Sequence, residues 1–190
     1  MLHNESHTDS GGMGMNRINQ KMNIRVLSYS GLLIAIGVLL PQVFHLVGGQ
    51  ASGGIFLPMH IPVLIAGLLL GPLPGGIIGI LTPLLSFAAT GMPPAAKLPF
   101  MLFELAAYGI VSGLLSGRCN LYLSLLIAQA AGRLVNALCL LAAMGLFHLN
   151  VPPVISVWTA IVTGIPGIVI QLVLIPPTIH FIRKAGHLHD

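Results

Sequence analysis

Glu104 and Arg133 are the two charges set inside long apolar runs of this chain, in PFMLFELAAYG and AQAAGRLVNAL. A charged side chain at the centre of a bilayer costs at least about 2.5 to 3.5 kcal/mol on insertion scales unless a partner or water meets it. Glu104 lies 12 residues before Ser116, where its run ends, and Arg133 lies 12 residues after Leu121, where the next run begins. At a rise of about 1.5 Å per helical residue both stand roughly 18 Å from the same edge, so a pair across neighbouring helices is expected. Gln171, 11 residues before Ile182, falls at a similar depth in the last run, and Asn136 lies almost one turn beyond Arg133 on its face. A polar belt inside a bundle is the result. Two readings of it stay open. The belt floors a ligand cavity, with Arg133 offered to an anionic group and Glu104, Asn136 and Gln171 to hydroxyls or amides, or it is a structural ion pair with amide bonds between helices.

Other candidates sit nearer the surface. His60, in FLPMHIP, opens a span on the side opposite the termini, and His45 closes the span before it. Each either faces a ligand or is an interfacial polar residue. Met59 and Met92 stand near the same mouth, as pocket lining or as packing. His3, His7, His187 and His189 lie in the tails, and the spans hold no HExxH, no repeated Cys and no Asp to complete a chelating set. No metal and no cofactor are therefore expected. Cys119 and Cys139 have no redox or metal spacing and read as structural thiols. The chain also lacks a GxSxG nucleophile and a paired intramembrane Asp, so it is not expected to be an enzyme. With no GxxxxGK[ST] motif, any ATP-driven work falls to a partner chain.

These side chains need elements to hold them, and composition says which. The 190 residues are 55% hydrophobic and 6% charged, with a mean hydropathy of +0.95. Soluble domains carry roughly 25% charged residues. The expected fold class is an all-α membrane protein, a bundle of six transmembrane helices near 25–47, 59–71, 74–90, 97–116, 121–147 and 156–182. The second and third are short, and Gly71, Pro72, Pro74, Gly75 and Gly76 between them mark a tight turn rather than the middle of one broken span. Residues 1–23 read as a disordered cytoplasmic tail, 24–184 as a six-helix transmembrane domain and 185–190 as a second cytoplasmic tail. The run from Val26 to Val47 is too long for a secretory h-region and reads as the first span.

With six spans the termini share a side. Arg17, Lys21, Arg25, Arg118, Arg183 and Lys184 fall on that side and Lys97 on the other, which puts both termini in the cytoplasm. The outward connections are then Gly48 to Pro58, Gly91 to Lys97 and His148 to Pro153. The net charge of +4 reflects this edge pattern and not a patch for nucleic acid, which is not an expected partner. Gly31 with Ala35, and Gly109 with Gly113, are small-xxx-small steps that let helices approach closely, either within the chain or against another membrane subunit.

The run LPMHIPVLIAGLLLGPLPGGIIGILTPLLSFAATGMPP, from Leu57 to Pro94, followed by PFMLFELAAYGIVSGLL, from Pro99 to Leu115, resembles the substrate-binding S components of energy-coupling-factor (ECF) vitamin transporters. MHIP, TPLLS, GMPP and FELAAYG in this order look most like the pantothenate-type subgroup. The resemblance implies a non-enzymatic six-helix bundle that captures a small water-soluble vitamin on the outer face. It also implies assembly with a membrane coupling subunit and two cytoplasmic ATPase subunits in the lipid bilayer, the bundle toppling to carry its ligand inward. Members often show an AxxxA step in the first helix that meets the coupling subunit, and the matching place here reads Gly31 to Ala35. If the ligand is pantothenate, Arg133 meets its carboxylate while Asn136, Gln171, Glu104 and His60 meet its hydroxyls and amide. Biotin also carries a carboxylate, and the scarcity of aromatics disfavours large flat ligands. A metal-uptake or channel subunit is the alternative, and an intramembrane enzyme a more distant one.

Overall fold

The computed structural model describes residues 24–145 and 155–186. The expected tail over 1–23, the turn from His148 to Pro153 and the last four residues of the C-terminal tail lie outside the described residues. Within them the chain folds as helices with no strand: α1 (Ile24–Phe56), α2 (His60–Leu70), α3 (Pro72–Thr90), α4 (Leu98–Leu115), α5 (Leu121–Gly145), α6 (Ile155–Thr163) and α7 (Ile165–Gly186). Six segments among them are long and apolar enough to cross a membrane. The all-α membrane bundle is as expected.

Two boundaries differ from the sequence reading, each for a local reason. The segment expected to be an outward loop from Gly48 to Pro58 is mostly helix, because α1 kinks at Gly49 and then resumes as far as Phe56. Gly49 takes φ 70° and ψ −174°, a conformation open to a residue without Cβ. Leu57, at φ 50°, ends the helix, its N–H bonded to Gly53 O at 3.2 Å. The last span, expected as one helix over 156–182, is instead divided between α6 and α7 at Gly164, and the spanning part is Ile165–Lys184. Pro166 explains the break, since a proline has no N–H to continue a helix and its ring opposes the carbonyl four residues back. The tight turn between α2 and α3 is present. Gly71 sits at φ 96° with its N–H bonded to Gly67 O at 3.0 Å, and Pro72 starts α3, where a missing N–H costs nothing.

Glycine brings the central helices together. A Cβ on Gly75 would stand 2.6 Å from Gly109 O, one on Gly113 2.6 Å from Pro72 Cα and one on Gly79 2.6 Å from the Leu105 carbonyl carbon. The Gly109–Gly113 step is thus spent inside the chain, packing α4 on α3. Helix α2 is the core of the bundle: Val63, Leu64 and Ala66 are fully buried, and Leu105, Leu125 and Ile175 close around it from α4, α5 and α7. At the end of the bundle that carries the termini, Arg183 Nη2 donates to Leu68 O at 3.3 Å and to Ser116 Oγ at 3.2 Å, satisfying a carbonyl at the end of α2.

The outside of the bundle is apolar. Leu46 is 87% exposed, Leu73 73% and Phe181 74%. Such a surface suits hydrocarbon and not water. Along α1, Ser28, Gly31, Leu32, Ala35 and Leu39 form an uncovered face, and a Cβ on Gly31 would meet nothing within 4 Å.

Candidate functional site

Opposite the end that carries the termini, the helices part around a cavity of about 920 Å³. Its walls are largely apolar or small, from Pro41, Leu57, Met59, Met92, Phe100, Met101, Leu140 and Ala160, and its floor carries His60, Glu104, Arg133 and Asn136. Lys97 lies on the wall near the start of α4 and is exposed. The volume falls in the range of small-molecule pockets.

Glu104 is the hub of the floor. It is 4% exposed and accepts from three side chains: Tyr108 Oη at 2.7 Å, Arg133 Nη1 at 2.8 Å and Asn136 Nδ2. Tyr108 lies one helical turn after Glu104, and its phenol reaches back along α4 because its ring packs over Gly132, where any side chain would collide with it. Gly132 immediately precedes Arg133, so the same close contact of α4 and α5 delivers the guanidinium to the carboxylate. Asn136, almost one turn further along α5, takes the second carboxylate oxygen. A glycine also lies against the far side of the guanidinium. A Cβ on Gly164 would stand 3.6 Å from Arg133 Nη2 and 3.1 Å from Leu57 Cδ1.

Among the described residues, two floor groups keep polar atoms without a hydrogen-bond partner. His60 is 5% exposed, lies 3.9 Å from Glu104 Oε1, too far for a hydrogen bond, and has no partner on either ring nitrogen. Its ring centroid is 5.0 Å from that of Tyr108. Arg133 uses Nη1 on Glu104 and leaves Nε and Nη2 buried without a partner. Buried polar atoms are nearly always hydrogen-bonded, so such atoms on cavity-lining residues are candidates for completion by a ligand polar group.

The structure therefore brings together His60, Glu104, Arg133 and Asn136, and sets Gln171 apart. Gln171 is 1% exposed, accepts from Gln129 Nε2 at 3.0 Å and donates to Leu57 O at 3.4 Å, and it does not line the cavity. Its position along the last span carried no information on the face of α7 that it takes. Its contact with the site is through Leu57, which does line the cavity. His45 also lines it, with Nδ1 3.2 Å from Gly49 O across the kink of α1. Gly31 and Ala35 lie on the uncovered face of α1, away from the cavity wall. Sequence reasoning missed Tyr108, Ser86 and Gln129. Tyr108 was accessible as the i+4 neighbour of Glu104. Ser86 and Gln129 were accessible only as polar residues in apolar helices.

A membrane-embedded bundle whose cavity ends on a satisfied carboxylate and a half-used guanidinium has the make-up of a ligand-binding membrane subunit. The model of the family described as "ECF transporter, substrate-specific component" matches residues 25–179, which takes in all six spans in whole or in part. The chain belongs to that family. It is accordingly a multi-pass membrane protein and a transporter substrate-binding subunit, not an enzyme, and it works on a small-molecule substrate with the membrane and ATPase subunits of an ECF module. Comparison with curated proteins and with solved structures finds no match.

Proposed function

We propose that this subunit captures a small water-soluble vitamin with a carboxylate, pantothenate in the first place, and hands it to an ECF module made of one membrane coupling subunit and two ATPases. The observation that carries the reading is the floor of the cavity: a buried guanidinium held on one side by Glu104 and without a hydrogen-bond partner on the other among the described residues, under walls that are mostly apolar. Pantothenate offers a carboxylate for Arg133, hydroxyls and an amide for Asn136 and His60, and a branched apolar part for Leu57, Met101 and Leu140. Gln171 then acts at one remove, by holding the Leu57 carbonyl. A large flat ring finds little to stack on. Phe100 is on the wall, but Tyr108 is committed to Glu104 and Trp158 is 64% exposed on the outside of α6.

The cavity opens outward from a bacterial cytoplasmic membrane, with both termini inside, in keeping with Arg118, Arg183 and Lys184 at one end of the bundle and Lys97 at the other. The uncovered Gly31–Ala35 face of α1 docks the coupling subunit, since α1 there is small, apolar and unused by the chain's own packing. Mass spectrometry of small molecules released from the purified chain tests the reading. A carboxylated vitamin in the extract is expected. Recovery of a lipid, a peptide or a transition metal in stoichiometric amount, with no vitamin bound on titration, would contradict it.

A further inference from the structure

A second polar point in the cavity stands apart from the Glu104 cluster. Ser86 lies on α3, is fully buried, lines the cavity and has no hydrogen-bond partner on Oγ among the described residues. Its neighbours on the same stripe behave otherwise. Thr82 Oγ1 donates to Ile78 O at 2.7 Å and Thr90 Oγ1 to Ser86 O at 2.8 Å, each back-bonding one turn as hydroxyls in apolar helices do. Ser86 alone of the three leaves that bond unmade. On the floor, the unpaired atoms of Arg133 are Nε and Nη2, the two nitrogens whose N–H groups run parallel along one edge of the guanidinium. That edge matches the two oxygens of a carboxylate.

We infer that the site reads its ligand at two points: a carboxylate held bidentate on the Nε–Nη2 edge of Arg133, and a hydroxyl or amide held by Ser86 Oγ with the His60 ring. The inference rests on the binding-subunit reading above and narrows its ligand class to monocarboxylates with a hydroxyl or amide group. Glu104 is a positioning residue in this scheme. It binds Nη1, so it leaves the Nε–Nη2 edge free and cancels the charge of Arg133. Lys97 on the wall supplies the cation that balances one ligand carboxylate. Among the described residues a second ligand carboxylate finds no further Lys or Arg on the cavity wall and meets Glu104 instead, and a cationic ligand meets Arg133.

Calorimetric titration of the purified full-length chain with pantothenate, its alcohol counterpart panthenol, biotin, thiamine and riboflavin tests the inference. Pantothenate is expected to bind, and panthenol at least about 100-fold more weakly, because loss of the carboxylate strands the buried edge. Ser86→Ala is expected to weaken pantothenate about tenfold with an unchanged melting temperature. Arg133→Lys, which keeps the charge but not the edge, is expected to lose at least about 100-fold. Panthenol binding as tightly as pantothenate, or an unchanged affinity in Ser86→Ala, would overturn it. Tight binding of thiamine or riboflavin without pantothenate or biotin would overturn the carboxylate inference while sparing the transporter reading. No binding by any of the five would overturn the inference and the carboxylated-vitamin reading together.

Discussion

At the scale of single residues, the floor of the cavity raises the question of whether Glu104 and Arg133 hold the fold or the ligand. The geometry assigns them unequal parts. Glu104 is saturated by Tyr108, Arg133 and Asn136, whereas Arg133 is not. Removing the saturated partner strands a buried cation, so Glu104→Ala is expected to lower stability by about 3–5 kcal/mol, read as a fall in melting temperature in detergent. Replacing both members by methionine removes both charges, and stability is then expected to return to near that of the parent while ligand binding is lost. If the double variant melts as low as Glu104→Ala, the pair is structural scaffold. Much of this cluster was legible in the chain, because two charges at equal depth in adjacent apolar runs have few other ways to be tolerated. For Gln171 the sequence offered a position along the helix and no direction. Its direction depends on where Gly164 and Pro166 break the final span, and that break turns on a local conformation that hydropathy does not register.

The helices themselves sort the glycines into two kinds. Those of the α3–α4 contact permit a close approach that no side chain would survive, as at Gly75, where a Cβ would sit 2.6 Å from Gly109 O. Gly75→Ala is expected to cost about 1–3 kcal/mol by overpacking, seen as a lower melting temperature. Gly31 faces open space, so Gly31→Ala is expected to leave the melting temperature of the isolated chain where it is. Gly31→Trp is expected to prevent co-purification with the coupling subunit while leaving ligand titration unchanged. Retained co-purification would remove this face from the docking site. In sequence the two small-xxx-small steps look alike, and only the packing of α4 on α3 distinguishes the one that is used internally. The existence and number of spans, by contrast, followed from hydrophobic runs and the Gly–Pro turn at 71–76, because a bilayer imposes the length of its helices.

For the whole molecule, an apolar exterior around a polar-floored cavity means that orientation decides which compartment the ligand comes from. Cys119 is exposed in the connection between α4 and α5, at the end of the bundle that carries the termini. In a Cys139→Ala background, a membrane-impermeant thiol reagent is expected to label it in inside-out vesicles and not in intact cells. Labelling from outside would invert the proposed topology. The central claim is that this bundle binds a carboxylated vitamin by itself and without ATP. Titration of pantothenate into the purified chain tests it most directly: saturable binding at one ligand per chain, lost in Arg133→Ala, is expected, and a flat titration with pantothenate and biotin alike would contradict it.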